Sequence, residues 1–546
     1  MATKKAAPAA PGDPQYVVRG FVVHLGGDLG PKKRAAALHK IREQVPEFAR
    51  AIDARALVRA KPLGKGAADV LIRLPRKHEV DIRQAWNVVH ALRRNPLVAD
   101  AEPSVRTVSG VAPPQGRRFN AIGGPDGPPL PQANDPRWSV DNARISDMWA
   151  TARGFGVLVG HPDTGYTHNP QIDNDRLLAA YGYDFEDGRS DPLDRMSGSY
   201  PGHGTATASV IMANAMPGVY GAAPDARLIP YRVSDSVIHF DFTNLTQALY
   251  RARGQQCDLV SMSLGGPWAG RSLSRAVDTL VAADIILLAA AGNVWPWVVY
   301  PARFDNVVAV AASNAIDKPW KDSASGDEVD ISAPGESVWR AWSQQIDGAM
   351  DYSVAPSSGT SYAVATTAGA CALWLSLHGA AALRTRYPGR VAAVFMNLLK
   401  SAGFRSVAGW KTADYGPGIL DATALLRAPL PAQAPAAIAR VHSAVTTSQR
   451  SYAWARLQPF FPELSPEELA RSIVPAFGKR PAAAARQLAD VIDEVEFFVA
   501  TDAGVRQSVI AAARPPKRGR PAIAAQGPGA ALRSVGSAHL RTKLKG

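Results

Sequence analysis

At 546 residues the chain exceeds one ordinary hydrophobic core and calls for two or three domains. Hydrophobic residues at 46% and charged residues at 20% argue against a disordered chain, and no apolar run approaches the roughly eighteen residues of a membrane span. The formal net charge is +14, but residues 514–546 carry eight Lys/Arg and no Asp or Glu, so the body is only mildly basic.

The first stretch, residues 1–14, is a Lys/Ala/Pro arm without periodicity. Pro8 and Pro11 stand where an export signal would have its apolar segment, so the expected location is cytoplasmic, with non-standard export as the alternative. Cys257 and Cys371 are the two cysteines, both in apolar surroundings that read as core and not as a disulfide framework.

Residues 16–25 predict a strand, 34–51 a helix, 68–74 a second strand, 83–94 a second helix and 98–103 a third strand. Residues 15–106 thus form a small α+β domain of β-α-β-α-β pattern. Residues 107–133, rich in Gly, Pro and Gln, read as a linker in which Arg117-Arg118 is a potential cleavage point.

From 134 to 426, short apolar runs alternate with helical stretches, the pattern of an α/β domain with a mainly parallel sheet. Strands are expected at 157–160, 227–233, 259–263, 285–290 and 307–311, and helices beginning near Ile145, His203, Asn244, Ser272 and Ser361. Residues 427–512 predict a helical region, with Ser465-Pro466-Glu467-Glu468 as a capping box, and 513–546 a flexible basic tail.

Within the α/β domain one set of residues has the makings of a reaction centre. Gly359-Thr360-Ser361-Tyr362-Ala363 puts a serine at the start of an Ala-rich helix, where free backbone N–H groups favour developing negative charge. Asp163-Thr164-Gly165 closes the first strand of the domain, and Gly202-His203-Gly204-Thr205 opens a helix forty residues later. Acyl transfer by serine needs a base to take its proton and a carboxylate to orient that base, and Ser361, His203 and Asp163 supply these three groups. Each alone reads equally well as turn chemistry or as one of 11 histidines. A fourth motif, Ala290-Ala291-Gly292-Asn293 after an apolar strand, adds an amide suited to an oxyanion hole.

Taken with Asn134-Asp135-Pro136, Gly221-Ala222-Ala223-Pro224, Ser261-Met262-Ser263-Leu264-Gly265-Gly266, Tyr300-Pro301-Ala302 and Tyr415-Gly416-Pro417-Gly418, these motifs make residues 134–426 resemble the subtilisin-like serine peptidases, the subtilases. The resemblance implies a subtilisin-like α/β fold and a serine endopeptidase acting on polypeptides. Asp163 would orient, His203 act as base, Ser361 attack and Asn293 donate to the oxyanion. Ser263, Leu264 and Gly265, with Gly292, would form the edge to which substrate adds as a strand. It also implies that residues 15–106 are a ferredoxin-like propeptide that inhibits in cis and is released by cleavage between Val105 and Gln132.

The chemistry requires no cofactor or metal. A structural calcium ion is left open: the loop 214–219 offers one side-chain oxygen, whereas 184–194 is acid-rich. Three departures from the family stand out. His161-Pro162 precedes the aspartate where apolar residues are usual, Ala206 replaces a second histidine, and Trp295, Trp297 and Val299 crowd a segment usually built of glycine and serine, which suggests a narrowed specificity pocket. In the tail, Pro516-Lys517-Arg518-Gly519-Arg520-Pro521 resembles an AT-hook core; it reads first as a solvated linker, with DNA as the minor alternative. The competing function is a regulatory or nucleic-acid-associated binding protein using an inactive peptidase fold.

Overall fold

The computed structural model describes residues 16–75, 80–107, 130–214, 218–436, 456–514 and 527–544. The arm 1–14, most of the linker with Arg117-Arg118, part of the loop 214–219 and the AT-hook-like motif at 516–521 lie outside the described residues. The chain divides into two compact units, Met1–Gly116 with Ala444–Gly546, and Arg117–Ser443.

In the first unit, β1 (Tyr16–His24), β2 (Lys61–Pro62), β3 (Asp69–Arg73) and β4 (Asp100–Thr107) form an antiparallel sheet in the order β2-β3-β1-β4. The two-residue strand β2, half of it proline, had no periodicity to betray it, so β-α-β-α-β becomes β-α-β-β-α-β. The helix expected over 34–51 is two, Pro31–Gln44 and Pro46–Ala51. Pro46 has no N–H to continue the ladder and drives Val45 to an extended conformation (φ −120°, ψ 92°).

The C-terminal helices complete this unit's core. Helix Pro481–Thr501 brings Phe497 against Tyr16 (5.3 Å between centroids) and Trp86 (6.0 Å). On the same helix the fully buried Glu494 accepts from Ser537 N (2.6 Å) and Ser537 Oγ (2.8 Å) and lies 2.7 Å from His90 Nε2. Arg93 pairs with Asp493 at 2.8 Å. The capping box is present as expected, Ser465 Oγ accepting from Glu468 N and the Glu468 carboxylate from Ser465 N. The basic tail, expected to be flexible, instead contains helices Pro528–Val535 and Ala538–Lys543. Its charge concealed four apolar side chains, Ala531, Leu532, Leu540 and Leu544, that bury.

In the second unit β5 (Leu158–Asp163), β6 (Tyr183–Asp184), β7 (Arg227–Arg232), β8 (Leu259–Met262), β9 (Ile286–Ala290), β10 (Val308–Ser313) and β11 (Ile331–Pro334) run parallel. A separate antiparallel hairpin, β12 (Val338–Ile346) and β13 (Ala349–Ser357), leads towards Ser361. With β14 (Phe404–Arg405) and β15 (Ile419–Leu420) the main sheet has nine strands, ordered β14-β15-β11-β10-β9-β8-β5-β7-β6. All five expected strands are present. The helix expected near Ile145 shrinks to a single turn, Ser146–Met148, while those at His203, Thr243, Arg271 and Thr360 form. The helix Thr360–His378 is buried nearly all round, which is why small residues dominate it.

Strand β5 carries Pro162 on the side where its pairing with β8 stops. Leu158 O accepts from Asp258 N on the β8 side, while Val157 O and Asp163 O accept from Arg227 N and Val233 N on the β7 side. Parallel strands alternate sides residue by residue, so Pro162 faces β8, whose pairing with β5 ends at Gly160–Val260. Pro162 has no N–H to extend that ladder, whereas pairing with β7 continues to Asp163.

Because the C-terminal helices hold the N-terminal sheet non-covalently, cutting the linker between 108 and 129 should leave the fragment ending near residue 107 bound to the rest of the chain. The two should co-elute on gel filtration in buffer and separate in urea. Glu494→Ala strands the buried His90 and Ser537 donors at about 1–3 kcal/mol each and should release the fragment at lower urea.

Candidate functional site

The C-terminal ends of β5, β8 and β9 deliver Asp163, Ser263 and the Gly292-Asn293 turn to one edge of the sheet, the edge where open α/β sheets place their sites. The N-termini of the helices His203–Met212 and Thr360–His378 meet them there.

Asp163 is buried, and its Oδ1 accepts from His203 Nδ1 (2.8 Å) and Thr164 N (2.7 Å). Burial alone would raise this carboxyl. The charge and hydrogen bond of His203, together with His161 and the Thr164 N–H, outweigh it and hold the group below its ordinary range. The close approach requires Gly204, where a Cβ would lie 2.0 Å from Gly165 O and 3.2 Å from Asp163 Cβ.

Two residues that sequence reasoning gave no role fix the entry to His203. Thr164 Oγ1 accepts from Gly204 N (3.0 Å) and donates to Asp194 Oδ2 (2.6 Å), which also accepts from Gly202 N (2.9 Å). Asp194 was read only as one acid of the 184–194 loop; burial now raises its pKa, against its three hydrogen bonds. Elsewhere in that loop Asp184 pairs with Arg232 (2.7 Å) and Arg195 (3.2 Å), and Asp187 with Arg232 (3.1 Å), so two arginines engage its acids.

Ser361, the second residue of its helix, is 6% exposed. Its hydroxyl donates to Ser263 O (3.3 Å) and its carbonyl accepts from Ser263 Oγ (3.0 Å), a reciprocal clamp between the end of β8 and the helix start. The neighbouring Tyr362 ring lies 6.4 Å from the His203 ring, centroid to centroid. Asn293 Oδ1 accepts from Thr360 N (3.0 Å) and Thr360 Oγ1 (2.6 Å), and Gly292 N donates to Thr360 Oγ1 (3.2 Å). With the oxygen committed, the Asn293 NH₂ group is turned towards Gly359, where a Cβ would lie 3.4 Å from Nδ2 and 3.6 Å from Ser361 N. Glycine at 359 therefore leaves open the space between two N–H donors. Thr360, also missed, sits inside the serine motif beside Ser361 and carries no sequence signal of its own.

The expected substrate edge is already paired. Gly265 N donates to Val237 O (2.9 Å) and Gly265 O accepts from His239 N (2.8 Å), while Leu264 is buried. Beside it, Val299 closes over the glycines: a Cβ on Gly265 would lie 2.5 Å from Val299 Cγ2, and one on Gly292 3.1 Å from the same atom. Trp295 and Trp297 are buried next to Val299 in the chain. Among the described residues no cluster of three or more His, Cys, Asp or Glu side chains is placed to hold a metal ion, and no single helix is long and apolar enough to cross a membrane.

The profile of the subtilase family matches residues 154–410. The chain is 32% identical over 249 residues to an intracellular serine protease of Paenibacillus polymyxa, covering 44% of this chain and 73% of that one. It is 36% identical over 182 residues to subtilisin E of Bacillus subtilis (strain 168), covering 32% of this chain and 46% of the relative, so it spans about half of that protein's length. Fervidolysin from Fervidobacterium pennivorans, a keratinolytic enzyme related to subtilisin, shares the fold with a TM-score of 0.54 at 19% identity, over 77% of this chain and 62% of that one. The chain belongs to the subtilase family. Its α/β unit is that of a serine-type endopeptidase.

Proposed function

We propose that the protein hydrolyses peptide bonds by attack of Ser361, with His203 as general base, Asp163 as its orienting acid and Asn293 with the Ser361 N–H as the oxyanion hole. The observation that carries this reading is the 2.8 Å bond from His203 Nδ1 to a buried, ionised Asp163. It fixes the imidazole tautomer with Nε2 free to take a proton and stabilises the imidazolium that results. Ser361 then attacks the scissile carbonyl as its proton passes to His203, and the oxygen that gains charge enters the space beside Gly359. Collapse expels the amine with that proton, and water repeats the sequence on the acyl-enzyme. Catalytic hydrogen bonds tighten when substrate binds, so the resting bond of Ser361 Oγ to Ser263 O is compatible with this role.

Substrate adds as a strand to Ser263-Leu264-Gly265 by displacing Val237 and His239 from Gly265, exchanging two backbone bonds for two. Residues 15–106 restrain the enzyme in cis; their position ahead of the peptidase unit and their β-α-β-β-α-β topology support this part of the reading.

With a chromogenic peptide, Asp163→Asn should lower kcat by about 10⁴-fold and Ser361→Ala at least as much, whereas Asn293→Ala should lower kcat with KM little changed. Retention of activity in Ser361→Ala would overturn the reading. A peptide library should show preference for a small residue on the acyl side of the scissile bond, because Val299 fills that wall. Val299→Gly should improve cleavage after aromatic residues by about 10- to 100-fold. An aromatic preference in the unaltered enzyme would contradict the narrowed pocket.

A further inference from the structure

His161 is a buried histidine two residues before Asp163 on β5, and the proposed mechanism gives it no part. Its Nε2 lies 3.0 Å from Thr207 Oγ1 and 3.9 Å from Asp163 Oδ2, whereas its Nδ1 has no hydrogen-bond partner. Thr207 Oγ1 lies 3.2 Å from Asp163 Oδ2, 3.1 Å from His203 O and 3.3 Å from Gly204 O. The three acceptors compete for one hydroxyl proton, and the charged one makes the stronger bond.

The tautomer follows from the same inventory. A proton on Nδ1 would leave a buried N–H without an acceptor and turn the Thr207 hydroxyl away from the carboxylate to serve Nε2. A proton on Nε2 leaves only an unshared lone pair at Nδ1 and lets the chain run His161 Nε2–H to Thr207 Oγ1, and Thr207 O–H to Asp163 Oδ2. The second arrangement is cheaper, because an orphaned buried donor costs more than the loss of one acceptor contact. Burial first, and His203 in addition, push the His161 pKa down to about 4 against the opposing pull of Asp163, so the ring is neutral where a peptidase with a histidine base works. Asp163 on its own strand and His203 on the adjoining helix are the titratable groups that face it.

We propose that His161 is a positioning residue for the orienting acid, passing a hydrogen bond through Thr207 to Asp163 Oδ2 so that Oδ1 stays aimed at His203. The proposal rests on the reading of Asp163 as that acid. Two positions that the surrounding apolar core would fill with aliphatic side chains, one on β5 and one on the His203 helix, instead carry a donor and a relay that reach each other. The same chain spreads the Asp163 charge over a second bond.

The test is a double-mutant cycle of His161→Val and Thr207→Val, with His161→Gln as the conservative variant, read by kcat, KM and the pH profile of kcat/KM, with folding checked by urea denaturation. Each single valine variant should lower kcat about 10-fold, the order of one hydrogen bond to a charged group, with KM unchanged. The acid limb should move to higher pH, because an unshared carboxylate charge holds a proton on the catalytic imidazole more tightly. The double variant should be no worse than either single, and His161→Gln, which keeps an N–H at similar reach, should restore the limb. Additive losses, or valine variants with lowered stability but an unmoved acid limb, would overturn the relay and leave the Asp163 assignment standing. If Asp163→Asn is itself active, the underlying reading fails instead.

Discussion

The bond between the Asp163 carboxylate and His203 Nδ1 is the contact on which the site depends, and much of the surrounding structure exists to make it. Burial by itself would raise the carboxyl's pKa; His203 and the Thr164 N–H hold it down, and the Thr207 hydroxyl donates to its other oxygen. Asp194 secures the turn into the His203 helix through Thr164 and Gly202, and Gly204 lets that helix lie against Gly165. A paired buried charge is tolerated only when its partners are held this firmly.

A second set of contacts holds the serine in place. Thr360 bonds Asn293 and Gly292, while Ser263 and Ser361 exchange hydrogen bonds between β8 and the helix start. These bonds tie the ends of β8 and β9 to the start of one helix, so that, on the proposed reading, the space beside Gly359 is shaped before substrate arrives. Preorganised donors of this kind avoid reorganisation during the reaction. On the proposed reading, access to the edge also involves moving the Val237–His239 backbone already paired with Gly265.

Much of this was legible in sequence because the relevant signals are local. Apolar runs of four to six residues gave β5, β7, β8, β9 and β10, and glycines beside Asp163, His203, Ser361 and Asn293 marked where backbone must approach closely. Apart from the local hairpin of β12 and β13, what escaped was set by distant partners. The strands β2, β6, β14 and β15 are two residues long and exist only through pairing, and β11 is too short to show a period. Thr164, Thr207, Asp194 and Thr360 are small polar residues whose importance lies in who meets them across the fold. The tail was misjudged because charge was counted over a segment whose few apolar side chains decide its packing, and the break at Pro46 was overlooked inside a plausible helical pattern. Strand parity turns Pro162 towards β8, where the ladder stops, and leaves the pairing with β7 intact.

The most direct measurement is peptide mapping by mass spectrometry after treatment with a serine-directed fluorophosphonate, which forms a bond to an activated serine oxygen and expels fluoride. The account predicts a single adduct, on Ser361, formed by the folded protein and greatly slowed in His203→Ala. Labelling at another serine, or labelling of Ser361 at the same rate without His203, would contradict it.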